Sequence, residues 1–241
     1  MILGVTLLKN EDIWIKKVLI NLMDFCDDFL IIDNGSTDGT NDIIRDLGLD
    51  VILEQDLAKT HEMVEKYIGK DVWVQGFGGD EIYDPGGLSF IKDKLDPNVF
   101  QYYPKFLHAT KVGKNTALGY LSPPAYSPGK LYNFKLLESW KSKRTNHIFL
   151  ETGRVLKPNV ISKNVMFNNM SWDTTPYRCI HTRFMRRSTL ENDDFVGGKL
   201  NPADILGKNA AGDFGPKEGY NARLKYAKGK LTRVNIEGFF I

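Results

Sequence analysis

Cysteine is scarce, with only Cys26 and Cys179 in 241 residues. Two thiols build no disulfide framework, so the chain reads as a protein of a reducing compartment whose cysteines are buried. An excess of one charge is also missing. Thirty-two Lys and Arg face thirty Asp and Glu, a formal net charge of +2, which leaves no overall footprint for nucleic acid or an anionic membrane. No apolar run approaches the roughly 20 residues needed to cross a bilayer. Residues 1–8 lack the basic start, long apolar stretch and cleavage site of a secretory signal, so the expected location is cytoplasmic. Repeats, low-complexity segments and a clear interdomain linker are absent too. What is present is apolar material, 42% of the residues, enough for one compact domain. Basic residues gather late, at Arg178, Arg183, Arg186 and Arg187 and from Lys217 to Arg233. They suit either phosphate contacts or a solvated face.

The first half alternates. Residues 2–8 are a continuous apolar run, as in a strand buried on both faces. Asn10 is placed to cap a helix in which Trp14, Val18, Leu22 and Phe25 form a stripe. Residues 29–33 make a second strand, ended by the turn-favouring Asp33 to Ser36. A short helix through Ile43, Ile44 and Leu47 can stop at Gly48. A third strand near 50–54, a helix carrying Val64, Tyr67 and Ile68, and a fourth strand near 71–75 follow. This order predicts an α/β fold with a mainly parallel central sheet flanked by helices. Beyond Asp80 the pattern is mixed. Longer strands are expected at 98–108 and 130–138, further strands at 147–150, 153–157 and 178–184, loops through 109–129, and helices only near the C-terminus.

Ligands of open α/β sheets bind beyond the C-terminal strand ends. Four successive ends are polar here, at Lys9 to Glu11, Asp33 to Ser36, Glu54 to Asp56 and Gly78 to Glu81. Their convergence favours a polar ligand such as a nucleotide. Residues 5–12 (VTLLKNED), 31–40 (IIDNGSTDGT) and 72–81 (VWVQGFGGDE) together resemble the family 2 glycosyltransferases of GT-A fold. Residues 130–135, 146–151 and 180–184 follow in an order similar enzymes share.

That resemblance implies a single GT-A domain over 1–241, with a nucleotide-binding half at 1–85, an acceptor-side half at 86–200 and a C-terminal helical extension at 201–241. It implies an inverting, metal-assisted transferase that takes a sugar from a nucleoside diphosphate, with a UDP-sugar expected, to a saccharide or other hydroxyl acceptor. Backbone groups of Thr6, Leu7 and Leu8 would border the base, Asp33 would accept from uracil or ribose, and Lys59 would lie near the diphosphate or base. Asp33 at a strand end can equally cap its own turn.

Similar enzymes carry an Asp-x-Asp metal motif, and here Gly78 replaces its first carboxylate. Asp80 remains as the ligand of Mn2+ or Mg2+, Gly79 permits close backbone approach to phosphates, and His181 is the expected second ligand. Arg183, Arg186 and Arg187 are candidates to meet the diphosphate. An inverting transfer also needs a base. Glu151, at the end of a strand pattern, is preferred to Asp173, which lies in a loop-like stretch. His108 and His61 carry no signal of their own. The alternatives are a catalytically inactive nucleotide-sugar binding module and a sugar nucleotidyltransferase. Residues 2–11 lack the phosphate loop of the latter, and the string from Gly76 to Gly79 does not match a dinucleotide fingerprint.

Overall fold

A computed structural model of the chain describes residues 1–122, 128–140, 154–161, 163–182, 185–190 and 230–240. The α/β alternation is present: β1 (Ile2–Leu8), α1 (Ile15–Met23), β2 (Asp28–Asp33), α2 (Thr40–Asp46), β3 (Val51–Leu53), α3 (Leu57–Glu65) and β4 (Trp73–Gly76). β1 pairs in parallel with both β2 and β4, and β2 with β3. Residues 29–33 and 71–75 thus contribute to one sheet, as the apolar runs predict.

Side chains on β1 alternate between two cores. Leu3 and Val5 pack with Ile32, Val74 and Val64 of α3, whereas Ile2 and Leu8 pack with Ile15, Val18, Leu19 and Leu22 of α1. Helices therefore cover both faces, which is why these strands are apolar throughout. Gly48 ends the second helix as expected. Its φ is +74°, and the Gly48 and Leu49 amides close onto Arg45 and Ile44, a turn that needs a left-handed residue. Asn10 does not cap α1. Its φ is +56°, its side-chain oxygen accepts from the Thr37 amide at 2.8 Å, and the helix begins only at Ile15.

The second half departs from expectation in several places, among them the single strand expected at 130–138, which is two short strands in different sheets. A helix, α4 (Pro85–Asp93), follows β5 (Glu81–Tyr83). Its signal was legible: Asp84 accepts from the Gly86 amide at 3.1 Å, and proline occupies the first turn. The single strand expected at 98–108 is two, β6 (Val99–Tyr103) and β7 (Lys105–Val112), lying in different sheets. Pro104 between them has no N–H for a ladder, which favours a break at that point. The loop expected at 109–129 instead contains the end of β7 and β8 (Thr116–Leu121), its hairpin partner.

β9 (Leu131–Asn133) runs antiparallel between β4 and β6, β10 (Leu137–Trp140) pairs with β11 (Arg154–Leu156), and β12 (Lys163–Met166) runs parallel to β6. A five-stranded sheet orders β14 (Thr232–Asn235), β8, β7, β13 (Arg178–His181) and β5. Within the segment expected to be a helical extension, the described residues 232–235 are thus a strand. Both cysteines are buried and free.

Candidate functional site

β1, β2, β3 and β4 end at one edge of the large sheet, with Leu8 opposite Asp33 and Asp33 opposite Leu53. β4 stops short. Its pairing with β1 covers only Ile2 to Val5, and the Phe77 amide makes a last bond to the Val5 carbonyl. Thr6, Leu7 and Leu8 therefore run on with β2 on one side and, among the described residues, no strand on the other. The buried Thr6 hydroxyl has no hydrogen-bond partner among the described residues.

The chain then folds back across this edge. A Cβ on Gly79 would lie 2.8 Å from Glu11 Cβ and 2.9 Å from Leu8 Cδ2, so only glycine lets the loop pass the end of β1. That close approach is to protein atoms, and it sets down Asp80 beside β5. β5 pairs antiparallel with β13, placing His181 opposite Glu81. The Thr182 amide donates to the Asp80 carbonyl at 2.9 Å, and His181 Nε2 lies 3.2 Å from Asp80 Oδ2.

β7 flanks β13 in parallel, with His108 level with His181. Their Nδ1 atoms are 3.1 Å apart. Phe106 stacks on the His108 ring at 6.0 Å and meets His181 edge-on at 6.1 Å. Behind Asp80, Glu81 is pinned by Lys130 Nζ at 2.7 Å, the Tyr83 hydroxyl at 3.0 Å and the Gly78 amide at 3.1 Å. Burial, and then the Glu81 charge, hold the Tyr83 hydroxyl well above its usual range, which keeps it a donor. Burial likewise pushes the Cys179 thiol up, leaving it an inert core group.

The residues after β13 cross to the first strand ends. Ile13 N donates to the Arg187 carbonyl, Trp14 Nε1 to that of Arg186, and Arg187 pairs with Glu11 at 3.3 Å. Ser188 Oγ donates to Asp38, and Thr189 to Asp12. Partial burial alone would raise the Asp38 carboxyl. Hydrogen bonds from Ser188, Thr40 and the Asp12 amide outweigh it and hold the group below the ordinary carboxylate range.

The structure thus brings Thr6, Leu7, Leu8, Gly79, Asp80 and His181 to one edge. Asp33 lies there too, but fully buried. Its carboxylate accepts from Gly35 N at 3.1 Å, Ser36 N at 2.9 Å, Asn41 Nδ2 at 3.1 Å and the Ser36 hydroxyl. Those acceptor positions hold the turn together. Lys59 is exposed on α3, 3.9 Å from Glu54 Oε2. Arg186 spends its guanidinium on the Ser188 and Thr189 carbonyls. Asp173 is exposed in the turn before β13, at the opposite end of that strand from His181. Glu151 and Arg183 lie outside the described residues. His108 is the residue that sequence reasoning passed over. Only the pairing of β7 with β13 gives it a context.

Two donors 3.2 Å apart match neighbouring ligands of one hard cation, which at bond lengths of roughly 2.1 Å and a right angle are about 3 Å from each other. Among the described residues no group of three or more His, Cys, Asp or Glu is placed to hold a metal. Two such donors suit a cation that completes its shell with other oxygens and water, as Mg2+ and Mn2+ do.

No family model matches the chain, and no curated protein matches it. Solved structures do. One of glucosyl-3-phosphoglycerate synthase from Mycobacterium tuberculosis, in complex with Mn2+ and UDP-glucose, is 21% identical over 44% of this chain and 43% of that one, at a TM-score of 0.35. The same enzyme with Mn2+, UDP and glucosyl-3-phosphoglycerate gives 20% identity, 44% of each chain and a TM-score of 0.36. Each match spans less than half of the solved chain.

Proposed function

We propose that the protein is a glycosyltransferase of GT-A type that moves a sugar from a nucleoside diphosphate, with a UDP-sugar as the expected donor, to an acceptor hydroxyl with inversion. The observation that carries this reading is the contact of Asp80 and His181 at 3.2 Å, at the edge where four parallel strands end. A nucleoside diphosphate leaving group concentrates negative charge, and a Mn2+ or Mg2+ ion held by these two side chains would offset it. Every other task falls to the chain. Thr6, Leu7 and Leu8 border the base where β1 outruns β4. Asp33 acts through the turn it holds, Lys59 stands at the rim, and Arg187 faces the diphosphate from across Glu11.

Inversion requires one carboxylate to take the acceptor proton as the new bond to the anomeric carbon forms and the bond to diphosphate breaks. Asp173 sits at the far end of β13 from His181. The base is therefore assigned to Glu151, in keeping with its place after residues 130–135 in the sequence.

Thermal unfolding with UDP, with and without Mn2+, tests the reading. Ligand at about 100 times its Kd adds about 2.7 kcal/mol, or roughly 5–10 °C for a chain of this size. That shift should require the metal, and UDP should be released from UDP-sugars only in its presence. Absence of a shift with UDP and with every other nucleoside diphosphate would sink the proposal. Gly78, standing where a first carboxylate is expected, favours a second reading, a binding module without turnover. It predicts the same thermal shift with no release of UDP.

A further inference from the structure

We propose that His108 is the positioning residue of the metal pair: it accepts the Nδ1 proton of His181 and so frees the His181 Nε2 lone pair for a cation shared with Asp80. The inference rests on the metal reading above and deepens it.

The argument is one of proton counting. A neutral imidazole has one N–H and one bare nitrogen. His181 has both ring nitrogens engaged, Nε2 at 3.2 Å from Asp80 Oδ2 and Nδ1 at 3.1 Å from His108 Nδ1. A metal ligand must present a lone pair, so Nε2 has to be bare and the His181 proton must sit on Nδ1. That proton then points at His108 Nδ1, which must be bare in turn, with the His108 proton on its Nε2. With a cation between Nε2 and Asp80 each step leaves one choice; without it, the 3.2 Å contact is one in which Nε2 donates to the Asp80 carboxylate. If His181 took the other tautomer, it would turn an N–H toward Asp80 and offer the cation nothing.

The setting makes this arrangement rigid. His108 and His181 are level across parallel strands, and their ring centroids lie 5.1 Å apart. Phe106 holds the His108 ring nearly parallel to its own, at an interplanar angle of 5°. His108 is buried, so its stacked ring is held in place. A side chain whose task was only to fill space would not need a nitrogen at that point. Here an acceptor faces the one nitrogen of His181 whose protonation decides whether the other can ligate.

Two substitutions separate the acceptor from the volume. His108→Leu keeps the bulk and removes the acceptor. His108→Asn sets its side-chain oxygen close to where Nδ1 stood. Mn2+ affinity is read from the electron spin resonance signal of free Mn2+ in the presence of UDP. His108→Leu should weaken it by about 10- to 100-fold, the usual cost of removing a ligand's outer partner, whereas His108→Asn should recover most of the loss. Spin-echo modulation on the bound Mn2+ should report one directly ligated imidazole nitrogen.

Wild-type Mn2+ affinity in His108→Leu would overturn the inference. So would a His108→Asn protein as weak as the leucine variant, since packing would then explain both, or two imidazoles on the metal, which would make His108 a ligand. If wild-type protein binds no Mn2+ with UDP, or if Asp80→Asn and His181→Ala leave that binding intact, the metal reading itself falls and takes this one with it.

Discussion

Replacing Asp33 by alanine should destabilise the protein before it affects any ligand. The fully buried carboxylate accepts from the Gly35 and Ser36 amides, the Ser36 hydroxyl and the Asn41 amide group. Ser36 Oγ in turn accepts from the Asn10 amide at 2.9 Å, so the same carboxylate indirectly braces the loop that carries Glu11 against Gly79. Hydrogen bonds to a charged group contribute about 1.5–3 kcal/mol each. They are not additive within one network, and Gly35, Ser36 and Asn41 are half-buried, so their donors regain water when the carboxylate goes. A net loss of about 2–4 kcal/mol follows, which lowers Tm by roughly 5–15 °C at this chain length. Calorimetric unfolding of Asp33→Ala reads the loss directly, and titration with UDP and Mn2+ at a temperature where the variant is folded reads binding separately. An unchanged Tm with a tenfold or larger loss of UDP affinity would refute the reasoning and put the carboxylate on the ligand.

Asp80→Asn should abolish the Mn2+-dependent part of UDP binding in calorimetry while leaving the unfolding temperature near that of the wild type. Gly79→Ala should lower both stability and UDP affinity, because its Cβ meets Glu11 Cβ and Leu8 Cδ2 within 3 Å; a fully active, equally stable variant would contradict the packing. Lys130→Met strands the buried Glu81 charge and should cost about 3–5 kcal/mol in urea unfolding, partly relieved in the double variant with Glu81→Gln. Asp38 titrates below its ordinary 3.8 when folded, so the stability it adds is present above that value and lost as pH falls through the folded one; the gap between wild type and Asp38→Asn should therefore be wide at neutral pH and closed in strong acid. Glu151→Gln should lower turnover by about 10²- to 10⁴-fold with donor binding intact, and Asp173→Asn should leave both unchanged.

The parallel half of the fold was readable because burial on both faces leaves a mark in the sequence. Ile2 to Leu8 needs no partner to be recognised as a central strand, and Gly48 needs only its left-handed backbone to end a helix. The second half leaves weaker marks. Val99–Tyr103 and Lys105–Val112 differ little in composition, yet they belong to different sheets, and only Pro104 hints at the change. The capping pair Asp84 and Pro85 was a plain signal for α4, obscured by the glycines that follow it.

The site divides along the same line. The strand ends near Thr6 to Leu8 and Asp80 can be located from local pattern, because the end of a parallel strand is itself a local feature, whereas the roles proposed for these residues come from the resemblance. Asp33 is found the same way but is ambiguous, since a carboxylate that starts a turn and one that meets a ligand occupy the same place in sequence. The partnership of His108 and His181 has no local feature at all. It exists because Leu107 is level with Ile180 and Phe106 with Cys179, and burying those side chains sets the register of β7 on β13. A slip of one residue would turn every side chain of β7 to the other face and take His108 away from His181. The electrostatics of the candidate metal site is therefore fixed by hydrophobic packing two residues upstream.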